Sequence, residues 1–293
     1  MILVDLSQVM MSNIFVNAGH YMAPNPGEET GRPFDEGLIR HMVLNSLRYY
    51  KMKFGKKYGK LVIACDSKHY WRKEIFPHYK HGRAKARKES PLDWQLIHNT
   101  MNLLKAELAE FFPYQVIDIP RAEADDIIGV IAKREHTVEK VLVLSGDKDF
   151  VQLQKYKNVD QYAPIQKTFV YPADGDAVVS LRTHIMCGDD GDGIPNFMSP
   201  DDTFVTGQRQ VGLKKDNLAR WAKESKPENF CDIKMLRGWK RNQQLIDLDY
   251  IPKDVVEAIV EAWDAPFVPS RKHLLDYFIR NKLDTLLGSI GEF

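Results

Sequence analysis

The chain has 293 residues, of which 28% are charged and 44% hydrophobic, and 41 basic residues against 40 acidic ones give a net charge of +1. This composition excludes a disordered chain, and an integral membrane protein is excluded because no apolar run approaches the roughly 18 residues of a membrane span. The three cysteines have no metal-ligand spacing, and the amino terminus lacks the basic residues of a signal peptide, which together predict a cytoplasmic protein.

Strand and helix patterns alternate along the first two thirds of the chain. Strands are predicted over residues 1–6, 61–66, 114–119, 141–144 and 158–163, with a hairpin arm at 167–170. Residues 19–33 have the composition of a loop, and helices are predicted after Ser7, over 34–57, over 91–112 with Ser90 and Pro91 at its start, over 123–134, and from a cap at Asp174 to 185. This alternation predicts an α/β fold with a parallel, twisted sheet and helices on both faces.

No strand pattern recurs after residue 187. Helices are predicted over 210–224, 238–247, 253–264 and 270–281, with prolines between the last three. We therefore predict two domains, a larger α/β domain over residues 1–187 and a smaller all-helical domain over residues 188–293.

A basic segment over residues 67–89 follows the second strand. It contains eight lysines and arginines, three histidines and a single acid between Lys68 and Lys88, and aromatic residues lie among the cations. Basic side chains pair with phosphates and aromatic faces stack on unpaired bases, so the segment predicts a nucleic-acid contact. A solvated helical face is the alternative explanation of such a charge run.

Carboxylates follow the strands of the predicted sheet. Asp5, Asp66, Asp147 and Asp149 each come at the end of an apolar run, and a helix after another strand opens with Glu123, Asp125 and Asp126. A parallel sheet brings these ends to one edge, where clustered carboxylates repel one another unless cations lie between them. Oxygen ligands favour Mg²⁺, the absence of a Cys or His cluster argues against zinc, and two Mg²⁺ about 3.5–4 Å apart would activate water against a phosphodiester.

Other interpretations of these aspartates remain open at this point. Any single one of them is more often a cap or turn residue. The acidic loop over 188–193 is also similar to that of haloacid-dehalogenase-type phosphatases, but that chemistry needs two aspartates at the first strand, where this chain has only Asp5. A PIN-type ribonuclease and a non-catalytic, structure-specific nucleic-acid-binding protein are the further alternatives.

Five motifs, in this order, resemble the flap endonuclease/5′-nuclease family. They are Val4-Asp5, Asp66 before the basic segment, Glu123-Ala124-Asp125-Asp126, Ser145-Gly146-Asp147-Lys148-Asp149-Phe150, and Gly188-Asp189 with Asp192. The resemblance covers essentially the whole chain and is greatest to the phage members that remove RNA primers. It implies that residues 67–89 form the family's arch or bridge and that the helices of 188–293 bind duplex DNA by its backbone.

The resemblance also implies roles for individual residues. Asp5, Asp66, Glu123, Asp125 and Asp147 would surround the first of two Mg²⁺ ions, and Asp149, Asp189 and Asp192 would hold the second. Mn²⁺ would substitute for Mg²⁺. Lys80, Arg83 and Arg87 would contact the scissile phosphate, and the first two would join the five first-site acids as catalytic residues. The expected nucleic-acid contacts are Arg72, Lys73, Lys80, Arg83, Lys85, Arg87, Lys88, Lys214 and Lys215.

The function that follows is a Mg²⁺-dependent 5′→3′ nuclease. It would act as a monomer on RNA–DNA hybrids and on duplex DNA with a 5′ end or flap, removing RNA primers and adjacent DNA during phage DNA replication in the host cytoplasm. A single-stranded-DNA-binding protein or a sliding clamp would be its replication partner.

Overall fold

The computed structural model describes residues 1–22, 36–90, 92–173 and 175–293. Its centre is a six-stranded sheet in the order β3-β2-β1-β4-β5-β6. The strands are β1 (Ile2–Asp5), β2 (Leu61–Cys65), β3 (Gln115–Asp118), β4 (Val141–Leu144), β5 (Val159–Ala163) and β6 (Thr168–Val170). The first five are parallel and β6 pairs antiparallel with β5, which confirms the predicted sheet and its hairpin arm.

Twelve helices are described. They are α1 (Leu6–Met22), α2 (Glu36–Tyr58), α3 (Trp71–Ile75), α4 (His81–Glu89), α5 (Trp94–Phe111), α6 (Ala124–Glu135), α7 (Ala177–Cys187), α8 (Lys215–Trp221), α9 (Ile233–Ile246), α10 (Lys253–Asp264), α11 (Leu274–Arg280) and α12 (Asp284–Leu287). A 3₁₀ helix spans Lys148–Lys155, and shorter ones span Pro227–Asn229, Leu248–Tyr250 and Ile290–Glu292. None of the helices in these parts of the chain has the length and apolar character of a membrane span.

The sheet has a hydrophobic core on each face. Ile2 and Val4 of β1 point into one core, while Leu3 points into the other, as the two-residue repeat of a strand requires. The first core is covered by α1, α2, α5, α11 and α12, and the second by α6 and α10. Both faces of the central strands are therefore apolar, which explains why these strands are uninterrupted hydrophobic runs.

The region after residue 187 is helical, as predicted, and it contributes to three cores. Val255 and Ile259 of α10 belong to the second core, where α10 packs against α6 and β3, and Phe278 of α11 packs on the opposite face. A third core joins Phe76 of the basic segment to Ile185 of α7 and Trp239 of α9. The third core fixes the basic segment against the helical region. The division of the chain at residue 187 stays a prediction.

Several predicted helix limits were wrong. The helix expected to start at Ser90 begins at Trp94, because Asp93 accepts a hydrogen bond from the Leu96 amide and caps it. Helix α7, expected to be capped by Asp174, is capped by Asp176 instead. Pro91 and Asp174 lie outside the described residues. Residues 23–33 of the expected loop 19–33 also lie outside them, whereas residues 19–22 continue α1. The helix predicted over 210–224 is only the shorter α8.

Candidate active site

The carboxyl edge of the sheet brings the predicted carboxylates together. Asp5 ends β1, and its side chain accepts a 2.9 Å hydrogen bond from the Gln8 amide at the start of α1. Asp66 follows β2 and is held between the Ser7 hydroxyl at 2.5 Å and the Ala124 amide at 2.9 Å. The second of these bonds connects β2 to the beginning of α6, so the acids of α6 are anchored beside those of the strands.

Burial and mutual repulsion dominate the electrostatics of this edge. Burial, reinforced by Asp66 and Asp147, raises the pKa of Asp5 from 3.8 to about 7. Burial and the charge of Asp147 likewise raise the pKa of Asp149 to about 7. The pKa of Asp125 is raised by burial and by the charges of Asp147 and Asp5. Ionisation of Asp5, Asp125 and Asp149 is therefore unfavourable in the folded chain, and cations bound beside them would offset the cost.

The donor set fits hard divalent cations. All of the acids in the cluster offer carboxylate oxygens, the ligands that Mg²⁺ and Mn²⁺ accept. One buried oxygen, Oδ1 of Asp149, has no hydrogen-bond partner in the described parts of the chain, although His184 Nδ1 lies 3.4 Å away. An unpartnered buried carboxylate oxygen is costly unless a cation binds it. Asp5, Asp66, Asp125, Asp147 and Asp149 are therefore suitable ligands.

A tight turn carries the two acids predicted farthest along the chain. Asp189 and Ile194 form a β-bridge, and Gly188 has a φ of 71°, where a Cβ atom would lie 2.3 Å from the Ile194 carbonyl oxygen. Within the turn, the carbonyl of Asp192 accepts a 2.7 Å hydrogen bond from the Lys80 amide. The turn thus places Asp189 beside the sheet edge and Asp192 against the basic segment.

Two cations of the basic segment reach into the carboxylates. Lys80 pairs with Glu123, and Arg83 donates a 2.7 Å bond to Asp192. Burial acts to lower the pKa of Lys80, but the charges of Glu123 and Asp192 outweigh it and raise the pKa above its usual value. Lys80 and Arg83, two of the three residues predicted at the scissile phosphate, therefore lie at the carboxylate cluster and are positively charged, whereas Arg87 lies over the Trp94 ring.

The prediction that Arg72 contacts nucleic acid is wrong. Its guanidinium group is buried and is shared by Glu123 at 2.9 Å and Asp126 at 2.8 Å, while Nε donates to the Leu245 carbonyl. Asp126 also accepts bonds from the Trp71 indole and the Glu123 amide, so this acid fixes the first turn of α6. Arg72 is a structural cation because its position on α3 points it inward.

The remaining predicted contacts lie on the outside of the molecule. Lys73, Lys85, Lys88, Lys214 and Lys215 are exposed, and Arg87 is half-buried with its guanidinium group 5.5 Å from the ring centre of Trp94. Three of the aromatic residues between the cations, Trp71, Phe76 and Tyr79, are buried instead. These three rings stabilise the segment and cannot stack on bases from its surface.

Sequence reasoning missed two side chains of the site. The Tyr79 hydroxyl group bonds Asp192 at 2.8 Å and Glu123 at 3.0 Å. His184 of α7 lies between two acids, with Nδ1 3.4 Å from Asp149 and Nε2 3.3 Å from Asp189. No motif marks either residue, since each meets its partners only through the packing of separate segments. The sequence contains no histidine cluster, and the packing of α7 nevertheless brings this one histidine to the acids.

Two family profiles match nearly the whole chain. A profile of the 5′-3′ exonuclease N-terminal, resolvase-like domain matches residues 2–179, and a profile of the T4 RNase H C-terminal region matches residues 175–293. The chain belongs to the 5′→3′ exonuclease family. It is accordingly a nuclease, a hydrolase of the 5′-nuclease group.

Individual members of the family are similar over different extents. Ribonuclease H of enterobacteria phage T4 is 33% identical over 301 residues, covering 99% of this chain and 95% of that protein. The 5′-3′ exonuclease of Buchnera aphidicola is 28% identical over 149 residues, covering 50% of this chain and 47% of that protein.

Solved structures of a bacteriophage T5 member share the fold. The T5 protein crystallised with metal ions superposes with a TM-score of 0.59 at 16% identity, covering 89% of this chain and 98% of that chain. The T5 flap endonuclease in a pseudo-enzyme-product complex with DNA and metal ions has a TM-score of 0.58 at 17% identity and the same coverage of both chains. The common architecture is the mostly parallel sheet followed by a helical region.

Proposed function

We propose that this nuclease is a Mg²⁺-dependent 5′→3′ enzyme that removes RNA primers and adjacent DNA from RNA–DNA hybrids and from duplexes with a 5′ end or flap. The observation that carries the proposal is the convergence of buried and half-buried carboxylates from β1, β2, β4, α6 and the 188–194 turn on one sheet edge beside two cations. The family membership and the similarity to phage T4 ribonuclease H support the substrate class and a setting in phage DNA replication.

The carboxylates would hold two divalent cations. Asp5, Asp66, Glu123, Asp125 and Asp147 would hold one, and Asp149, Asp189 and Asp192 the other. When bound, such ions lower the pKa of a water and stabilise charge on the phosphodiester oxygens. The protein's own contribution is to hold the oxygen ligands rigidly, through bonds such as those from Ser7 and the Ala124 amide to Asp66.

Lys80 and Arg83 would neutralise charge on the scissile phosphate. In the absence of metal ions Lys80 pairs with Glu123 and Arg83 with Asp192, so both cations already lie at the edge of the carboxylate cluster. Cations on Glu123 and Asp192 would free both side chains for a phosphate oxygen. A positioned charge of this kind stabilises the developing charge of the transition state.

The basic surface would guide the substrate. Four exposed lysines lie on the two segments expected to contact nucleic acid. They are Lys85 and Lys88 on α4, Lys214 just before α8 and Lys215 at its start. We propose that 67–89 forms the arch around a 5′ end and that the region after 187 binds duplex through phosphates, which gives little sequence preference. The T5 flap endonuclease complex with DNA supports this class of partner.

The test is cleavage of a 5′-labelled RNA primer in a DNA duplex and of a matched 5′-flap duplex, each with Mg²⁺ or EDTA. We expect short 5′ products only with Mg²⁺, and Asp125→Asn should abolish them while retaining DNA binding. Asp118→Asn is the matched control, because Asp118 also ends a strand but pairs with Lys105 outside the cluster. Binding without cleavage by the wild-type protein would favour the non-catalytic alternative.

A further inference from the structure

We propose that His184 is a nitrogen ligand of the second cation position, beside Asp149 and Asp189, so that this position prefers first-row transition-metal ions such as Mn²⁺ and, more strongly, Co²⁺ to Mg²⁺. The inference rests on the proposed function, since it concerns the same metal site, but it assigns a residue and an ion preference that the acids alone do not imply.

The separations match those of neighbouring ligands around one ion. One ligand atom from each of the three residues lies within 4.8 Å of the other two. The shortest contacts are 3.4 Å from His184 Nδ1 to Asp149 Oδ1 and 3.3 Å from Nε2 to Asp189 Oδ2. Because one ion takes only one of the two ring nitrogens, only one of these pairs would become neighbouring ligands, and the other acid would approach within the 4.8 Å limit. Ligand atoms about 2.1 Å from an octahedral ion are separated by about 3–4 Å, so only small movements would complete the site.

The surrounding contacts leave these atoms available. Asp149 Oδ1 is buried and has no hydrogen-bond partner among the residues that the structure describes, because its 3.4 Å contact with His184 lacks hydrogen-bond geometry. Asp189 Oδ2 has Lys148 Nζ at 3.0 Å, on a side chain that is 59% exposed and can turn to solvent. Asp192 differs from these two, since Tyr79 and Arg83 already occupy its two oxygens.

The backbone around His184 is well fixed. The residue lies in the last turn of α7, whose first turn is capped by Asp176 and whose end is closed by the bond from the Gly188 amide to the His184 carbonyl. Because Asp189 comes directly after Gly188, which closes this helix, the histidine and this acid keep a constant relative position. A ligand held on a helix in this way loses little conformational entropy on binding.

The chemistry of imidazole determines the ion. Mg²⁺ is a hard cation that takes oxygen ligands and gains little from a nitrogen, whereas imidazole binds first-row transition ions with affinity that increases from Mn²⁺ to Co²⁺. The first position, surrounded by carboxylates only, has no such preference built into its ligands. The two positions should therefore differ in which ion they take from a mixture.

The deciding experiment is pulsed electron paramagnetic resonance of Mn²⁺ bound to the full chain. We expect modulation from a directly coordinated ¹⁴N nucleus in the wild-type protein, and its loss in His184→Gln. His41→Gln is the matched control, because His41 is a surface histidine on α2 that bonds Thr285. The ¹⁴N modulation of this variant should equal that of the wild-type protein. Circular dichroism checks folding, and His184→Asn serves as a second variant.

Calorimetric titration with Co²⁺ and Mg²⁺ provides an independent readout. We expect His184→Gln to weaken Co²⁺ binding at one position by about tenfold or more, with Mg²⁺ binding little changed. Absence of ¹⁴N modulation in the wild-type protein, or equal loss of Mg²⁺ and Co²⁺ affinity in the variant, would overturn the proposal. In either case Mg²⁺-dependent cleavage would still stand, so the ligand assignment can fail without the proposed function failing.

Discussion

Neutralising Asp5 tests whether the burial and mutual repulsion of the carboxylates lower the stability of the metal-free protein. Asp5→Asn removes one negative charge and keeps an oxygen that can accept the hydrogen bond from the Gln8 amide. Burial, Asp66 and Asp147 raise the pKa of Asp5 from 3.8 to about 7, and a difference of this size corresponds to at most about 4 kcal/mol. Since partial hydration lowers such costs in real proteins, we expect the metal-free variant to be about 1–2 kcal/mol more stable than wild type at pH 8.

The pH dependence follows from the same shift. The folded protein binds the Asp5 proton more tightly than the unfolded chain does, so the free energy of unfolding in EDTA falls as pH rises from about 4 to about 7 and is flat above that. The stability gained by Asp5→Asn should therefore be absent near pH 4 and complete above pH 7. With excess Mg²⁺ the wild-type protein should be more stable than Asp5→Asn, because the cation stabilises the wild-type carboxylate.

Urea unfolding followed by circular dichroism, at pH 4.5, 6 and 8 with EDTA or Mg²⁺, measures both effects. Asp118→Asn is again the matched control, and its stability should change by no more than about 0.5 kcal/mol at each pH, because the pair with Lys105 is exposed. A metal-free Asp5→Asn protein that is less stable than wild type at pH 8, or a gain independent of pH, would refute the reasoning.

Three further changes test the surrounding structure. Arg72→Met should lower the free energy of unfolding by about 3–5 kcal/mol in urea titration, since Glu123 and Asp126 lose a buried partner, while Lys73→Met should cost under about 0.5 kcal/mol; equal effects would contradict the internal role. Lys80→Met should reduce the cleavage rate by about 10²-fold or more with duplex binding retained in a gel-shift assay, and unchanged cleavage would exclude its role at the phosphate. Asp93→Ala should cost about 1 kcal/mol in the same urea titration, because α5 loses its cap, and no loss would place the start of the helix elsewhere.

Local pattern in the sequence was enough to predict the sheet and the acids at its edge. A strand buried on both faces is an uninterrupted apolar run such as Val141–Leu144, and Asp147 and Asp149 follow it directly, so both are recognisable within ten residues. Parallel pairing of these strands then brings their carboxyl ends together whatever the details of packing. The family resemblance assigned these acids to two metal positions, and those assignments stay predictions.

Only the tertiary structure decided which side chains surround those acids. Arg72 reads as one cation among eight, yet it is buried because α3 turns it toward Glu123, 51 residues further along the chain. Tyr79 and His184 reach their acids through the third core, where the basic segment packs on α7 and α9. Hydrophobic periodicity depends only on the residues of one element, so it can be recognised in the sequence. Contacts such as these depend on how separate elements pack against each other, which that periodicity does not encode.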